Sequence, residues 1–400
     1  MTTSTLDRVG LSAQRAVYLA FIGNGFAFAS WASRIPQIRD SLHASPSRLG
    51  LILLSVAVGS LLALPLAGVV ITRLGAARTV MVTSLGVALG LAVLAIGYHT
   101  GVPLTVVGLF LIGFNTGTWD VAMNVEGAAV EQRLQRAIMP RFHAGFSVGT
   151  VAGALGGAAM VALHLPVTAH LLVVAALVAA SIPTAVRRFL PAGAPAEPEA
   201  TDAPSNSGTR RTLAAWTEPR TLLLGVFVLG MAFTEGTGND WLAIAVIDGY
   251  HTVPVLGPVT FAVFLAAMTT GRWFGPGVLD RYGRVRVLRI SAVVALAGLL
   301  LVVFGQLIGV AIAGAVLWGL GTALGFPVGM SAAADDPTRS AARVSVVASI
   351  GYVAFLAGPP FVGFLGDHVG VLRALTAAAG LLTISALLTG NTRPLEVDGR

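Results

Sequence analysis

The sequence predicts an all-α membrane protein with 12 transmembrane helices in two pseudo-symmetric six-helix bundles. Three observations predict it. Of 400 residues, 55% are hydrophobic and only 11% charged, with a mean hydropathy of +0.83. Soluble domains carry about 25% charged residues, so this chain has too little polar surface to cover itself in water and must present most of itself to lipid. Twelve stretches are each long and apolar enough to cross a bilayer, which needs about 20 residues. Finally, the last six of these stretches echo the first six.

In chain order the predicted spans are 16–36, 48–71, 79–98, 103–125, 142–163, 169–187, 221–246, 257–278, 287–305, 308–330, 344–365 and 371–389. The first ends near A-F-A-S (27–30) and resembles a secretory signal, but the many similar segments after it read it as an uncleaved span. Most connections are short. The exception, 188–219, is rich in Pro, Ala, Ser and acid and is expected to be a disordered cytoplasmic linker. The predicted domains are therefore a bundle of residues 1–187, a linker of 188–219 and a bundle of 220–400. The arginines orient the chain. With the N-terminus in the cytoplasm, 20 of the 25 basic residues fall on the cytoplasmic side, three fall outside (Arg39, Arg48, Arg373) and two fall within spans (Arg34, Arg272). Both termini are then cytoplasmic in a cell inner (plasma) membrane. The basic pI of 10.8 is explained by topology, with no nucleic acid needed. There is no cysteine, which excludes disulfides and thiolate metal sites.

The repeat rests on three matches in register. S-V-G-T-V-A-G-A-L-G (147–156) aligns with S-I-G-Y-V-A-F-L-A-G (349–358). L-I-G-F-N-T (111–116) aligns with L-W-G-L-G-T (317–322). The loop G-V-V-I-T-R-L-G-A-A-R (68–78) aligns with P-G-V-L-D-R-Y-G-R-V-R (276–286). Carriers built from such repeats place their substrate between the halves near the bilayer midplane.

With these features the sequence resembles the major facilitator superfamily along its whole length. The family's loop pattern is a glycine, an acid four residues on, then Arg, Gly and basic residues. The second copy keeps Asp280, Arg281, Gly283 and Arg284, with Pro276 in place of the first glycine. The first copy keeps Gly68, Arg73, Gly75 and Arg78 but has Thr72 in place of the acid, so a gating latch falls instead to Arg73 or Arg78 with Glu126 or Glu131. Three stretches are similar to the fucose-permease-like branch of bacterial inner-membrane carriers: G-N-G-F-A-F-A-S-W-A-S-R-I-P (23–36), N-T-G-T-W-D-V-A-M-N (115–124) and E-G-T-G-N-D-W (235–241).

Charges at bilayer depth are costly and mark function. Thr116, Asp120 and Asn124 recur every four residues and form one helical stripe, expected to face the transport cavity. A carboxylate held in low dielectric can take up and release protons near neutral pH, and the resemblance implies an acidic proton site in this span. Asp120 and Glu235 are the proton-coupling candidates; permanent pairing with an arginine is the structural alternative. Glu235 and Asn239 lie one turn apart. Asn24, Phe28 and Trp31 follow helical spacing in the first span. Trp31 suits either stacking on a sugar ring or a place in the interfacial aromatic belt. Arg34 is expected to pair with Glu235 or Asp240, or to snorkel outward. Arg272 is expected to bind an anionic substrate, to neutralise Asp120, or to snorkel inward. The substrate-binding candidates are thus Asn24, Phe28, Trp31, Thr116, Asn124, Asn239 and Arg272. The gating candidates are Arg73, Arg78, Glu126, Asp280, Arg281 and Arg284. Glycines 145, 149, 153 and 157 read as close helix packing, and Pro359-Pro360 as a kink. Histidines 43, 99, 164, 170, 251 and 368 read as solvated loop ends that match no metal site. Nothing resembles a nucleophile triad, a phosphate-binding loop or a zinc motif, which argues against an ATP-driven pump, and no cofactor is expected; the duplicated halves and gate loops argue against a membrane enzyme or receptor.

The expected function is secondary active transport of a small solute by alternating access, proton-coupled and suited to sugar symport, by a monomer whose partners are the substrate, protons and the lipid bilayer. The alternatives are a proton-coupled exporter of drugs or metabolites, supported by Trp31, Trp119, Phe233, Trp241, Trp273 and Trp318, and a non-transporting membrane receptor or enzyme.

Overall fold

The computed structural model describes residues 3–136, 138–190, 213–336 and 338–394. Among these every regular element is helical. The chain divides into two compact units, Met1–Glu197 with Val253–Ala262, and Pro198–Thr252 with Val263–Arg400. The second boundary departs from the simple halves expected, because Val253–Ala262 groups with the first unit. Most of the predicted linker, 191–212, lies outside the described residues. Its first residues pack: Phe189 and Leu190 are buried.

The first unit runs α1 (Thr3–Ala32), α2 (Ile35–Ser41), α3 (Pro46–Leu74), α4 (Ala76–Thr100), α5 (Val102–Leu134), α6 (Met139–Ala162) and α7 (Val167–Ala185). Proline sets the first break. Pro36 has no N–H to give the carbonyl of Ala32, four residues back, and α1 stops there. Helix starts follow the same chemistry: Pro46 and Pro103 sit in the first turns of α3 and α5, where a missing N–H costs nothing. The Ser45 hydroxyl also accepts the Arg48 N–H at 3.3 Å. Helix α5 packs against α3 and α4, α1 against α6, and α4 against α7.

The α1–α6 contact explains the glycine run. A methyl group at Gly149 would strike the Ile22 carbonyl, and one at Gly153 the Phe26 carbonyl. Only hydrogen there lets the two backbones meet, as small-residue interfaces in membranes require.

From Pro219 onward the chain runs α8 (Pro219–Tyr250), α9 (Leu256–Tyr282), of which 263–282 fall in the second unit, α10 (Arg284–Phe304), α11 (Ile308–Thr322), α12 (Gly325–Ala333), α13 (Ser340–Val369), α14 (Val371–Ala374) and α15 (Thr376–Leu388). Helix α8 packs against α13 and α15, and α10 against α11 and α15. The predicted tenth span is two helices, because Pro327 cannot donate to the Ala323 carbonyl and the chain turns at Ala323–Leu324. Helix α13, by contrast, continues through Pro359 and Pro360 to Val369.

Eleven stretches of described helix are long and apolar enough to cross a membrane. Helix α9 is long enough at 27 residues, but its second half carries Thr269, Thr270, Arg272, Asp280 and Arg281, which dilute its apolarity. The duplicated loop is conformationally duplicated as well. Gly75 joins α3 to α4 alone at φ 77° and ψ 159°, and Gly283 joins α9 to α10 alone at φ 77° and ψ 153°. Glycine reaches that left-handed φ without the Cβ penalty.

Candidate functional site

Within the first unit, α5 presents two faces. Trp119, Ala122, Met123 and Glu126 point into the bundle and are buried. Asp120 is exposed, and Thr116 and Asn124 are half-buried. The predicted stripe therefore lies along the side of α5 that its own bundle leaves open. The Asn124 amide donates to the Asp120 backbone carbonyl at 2.8 Å, which secures Asn124 on the helix. No hydrogen bond or ion pair reaches the Asp120 carboxylate from any described residue, so its protonation is not tied to a fixed partner.

The first-span candidates fall elsewhere. Asn24 is buried, its amide 3.9 Å from the Met123 sulfur, so it packs α1 on α5. Phe28 is half-buried and meets Trp31 edge-on, with ring centroids 5.9 Å apart. Trp31 is 2% exposed, so in this structure its ring is covered by protein and offers a face neither to a membrane interface nor to a ligand. Arg34 is equally buried and donates to the Leu165 carbonyl at 2.6 Å. It neither snorkels nor makes the expected carboxylate pair. The Pro36 break turns the chain inward at Arg34 and directs the side chain to the α6–α7 connection. His170 is buried too, unlike the solvated histidine expected. No group of His, Asp and Glu among the described residues could hold a metal.

In the second unit, Arg272 of α9 meets Glu235 of α8. Its Nη2 donates to Oε1 at 2.8 Å, with the side chains 33% and 16% exposed. Arg272 is therefore partnered within its own unit, in place of the neutralisation of Asp120 or the snorkelling expected of it. The Arg272 Nε lies 3.4 Å from the Ala323 carbonyl, the acceptor that Pro327 strips of its helical donor. A proline thus supplies the second partner of a charge. One turn along α8, Asn239 is half-buried with its Oδ1 unpartnered among the described residues. Glu235 thus carries the Arg272 pair, with Asn239 one turn further along the same helix.

The gating candidates are used differently from expectation. Glu126 is buried and accepts the Leu190 N–H at 2.6 Å. Glu131 accepts the backbone N–H groups of Ile138 and Met139, at 2.5 and 2.6 Å. Glu126 thus holds the backbone that follows α7 and Glu131 the start of α6, and Arg73 and Arg78 are exposed and without an ion pair among the described residues. Asp280 and Arg281 are exposed, and the Arg281 guanidinium lies 5.3 Å from the centre of the Tyr282 ring.

Arg284 pairs with Asp335 at 2.6 Å, not with the acid of its own loop. Asp335 also takes Arg220 at 3.2 Å. Nearby, Glu218 binds Arg343 at 2.6 Å and Arg339 at 3.0 Å. The Arg343 guanidinium holds the Glu218 carboxyl below the usual carboxylate range, with Thr221 and Arg339 assisting against desolvation. Thr338 does the same for Asp336. Sequence reasoning missed this network, although Asp335, Asp336, Arg339 and Arg343 are close in the chain.

The aromatic inventory also divides. Trp119, Trp241 and Trp318 are fully buried, Trp318 packing on Phe264 with centroids 5.4 Å apart. Trp273 is exposed.

Comparison with known proteins matches the same architecture. The chain is 31% identical over 378 residues to an uncharacterised transporter of Sinorhizobium fredii, covering 92% of this chain and 97% of that one. It is 30% identical to an uncharacterised MFS-type transporter of Yersinia pestis, over 96% and 97% of the two chains. Among solved structures, a mutant of the nucleoside transporter NupG aligns with a TM-score of 0.79 at 14% identity, covering 96% and 99%. An inward-facing bacterial homologue of the lysosomal transporter Spinster aligns at 0.75 and 13%, covering 97% of each chain. The family model of the Major Facilitator Superfamily matches residues 17–342. The chain is a membrane transporter of the major facilitator superfamily.

Proposed function

We propose that the protein is a secondary active transporter in a bacterial inner membrane, with both termini cytoplasmic. It carries a small hydrophilic solute, of which a sugar is the leading class, together with protons by alternating access. One observation carries the coupling assignment. Asp120 has an accessible carboxylate with no described partner, whereas Glu235 is bound to Arg272. A proton carrier must exchange its proton freely in each cycle, and a carboxylate bound to a guanidinium must first be released. Asp120 is therefore the primary proton site. Glu235, Arg272 and Asn239 form the polar group that reads the solute, with Thr116 and Asn124 beside the proton site.

Burial of Trp31, Trp119, Phe233, Trp241 and Trp318, five of the six aromatic residues that favoured an exporter of aromatic or amphipathic compounds, weighs against that reading.

The substrate class is found by a thermal-shift screen of the purified protein against sugars, nucleosides, organic acids and drugs. With that substrate in proteoliposomes, Asp120→Asn is expected to abolish accumulation driven by a pH gradient while sparing substrate counterflow. Undiminished gradient-driven uptake by Asp120→Asn overturns the coupling assignment.

A further inference from the structure

The second copy of the duplicated loop borders a cleft of about 470 Å³, lined by Tyr282, Gly283, Arg284, Val285, Arg286, Arg289, Ile290 and Pro394. Its chemistry is one-sided. Three arginines line it, together with the first residues of α10. Val287 is the first residue of that helix to donate back, to the Gly283 carbonyl at 3.2 Å, and no side chain caps the end. The amides of Arg284, Val285 and Arg286 are therefore open donors at the positive end of a 21-residue helix.

The arginines are held unequally. Arg284 is committed to Asp335, and Arg289 reaches Thr389 through Nε at 3.3 Å. Arg286 is exposed and has no partner among the described residues. The apolar rim continues from the cleft, with Tyr282 50%, Ile290 55% and Val293 54% exposed. Phosphate-sized anions fit helix starts of this kind, and basic clefts at the ends of membrane helices hold anionic headgroups.

The equivalent loop in the first unit shows that topology alone does not require this. There Gly75 has the same φ, but Ala76 stands where Arg284 does, and Met81 where Arg289 does. Only Arg78, the counterpart of Arg286, is kept.

We infer that this cleft binds the headgroup of an anionic phospholipid, with Arg286 and Arg289 on the phosphate, the open amides of α10 beneath it, and an acyl chain along Tyr282, Ile290 and Val293. A soluble phosphate would satisfy the cationic part but leave the apolar rim bare, and so the lipid is the occupant assigned.

The test uses the full-length protein in detergent and nanodiscs. Native mass spectrometry counts retained phosphatidylglycerol, cardiolipin or phosphatidylethanolamine, and thermal unfolding is followed with each lipid and with inorganic phosphate alone. The anionic lipids are expected to be retained and to raise the midpoint, with phosphatidylethanolamine clearly weaker. The pair Arg286→Gln and Arg289→Gln should cut anionic-lipid retention several-fold. The charge-matched pair Arg187→Gln and Arg188→Gln, both exposed at the end of the first unit, should leave it unchanged. Equal loss in the two pairs would make the effect one of net charge and overturn the site. Unchanged retention in the first pair overturns it as well. Stabilisation reproduced by inorganic phosphate alone overturns the lipid as occupant.

Discussion

A guanidinium that is two-thirds covered and loses its carboxylate keeps its charge, because arginine does not deprotonate in proteins. Glu235→Gln is therefore expected to destabilise the second unit by about 1–2 kcal/mol, discounted from fully buried pairs for the partial exposure of Arg272. Adding Arg272→Met should recover part of that loss. Chemical or thermal unfolding of the two variants reads it, and a double variant weaker than the single would refute the pairing. Glu126→Ala strands the buried Leu190 N–H and should cost about 1–3 kcal/mol, with faster amide exchange at 186–190. Asp120→Asn, on an open helix face, should change stability by less than about 0.5 kcal/mol, which separates its transport defect from misfolding. The sequence exposed these residues unevenly. Depth and spacing singled out Asp120 and Glu235 as intramembrane acids. They could not show that Glu235 meets Arg272, 37 residues on, or that Glu126 caps a backbone 64 residues away. Such partners are chosen by tertiary packing, and a single sequence carries no record of it. Arg34 was misjudged for the same reason: an arginine near a span end snorkels unless a turn such as the one before Pro36 folds it inward.

Helices met along backbones respond to volume more than to chemistry. Gly149→Val places a branched side chain against the Ile22 carbonyl of α1 and should destabilise by about 1–3 kcal/mol, while Gly156→Ala, which faces open space, should not. Comparing the unfolding midpoints of the two variants checks the α1–α6 interface directly. Pro327→Ala restores a donor for the Ala323 carbonyl. It is expected to join α11 to α12 and draw that carbonyl away from Arg272, with slower amide exchange across 323–328 as the readout. At this scale the sequence was more informative, because its signals are local. Hydropathy located the eleven stretches that are long and apolar enough to cross a membrane, glycine spacing in the fifth span anticipated the close contact, and Pro36 marks an end. The division of 308–330 was missed, since an apolar run reads as continuous and the effect of one proline depends on whether neighbours can satisfy the freed carbonyl.

For the molecule as a whole, acid tests the ionic network at the arginine-rich end of the second unit. Glu218 and Asp336 have folded-state values held below their ordinary ones. Their contribution is therefore complete above the unfolded carboxylate value of about 4.3 and is lost as pH falls through the lower folded values. The share of the thermal midpoint that this network supplies should be lost below about pH 5, so the acid-side decline should be shallower in Glu218→Gln than in the unaltered protein. The lack of native cysteine makes orientation equally testable. In intact cells an impermeant maleimide should label Val253→Cys and leave Thr217→Cys untouched until the membrane is opened; the reverse pattern would invert the topology.

Gly283 is the whole of the joint between α9 and α10. A joint one residue long cannot absorb length. One extra alanine inserted into the first turn of α10, after Arg284, would turn the residues that follow by about 100° and advance them by about 1.5 Å, aiming Arg286 and Arg289 away from the cleft while every charge is kept. The indexing of that helix, as distinct from its cargo of charge, is therefore a property the protein can lose by a single insertion.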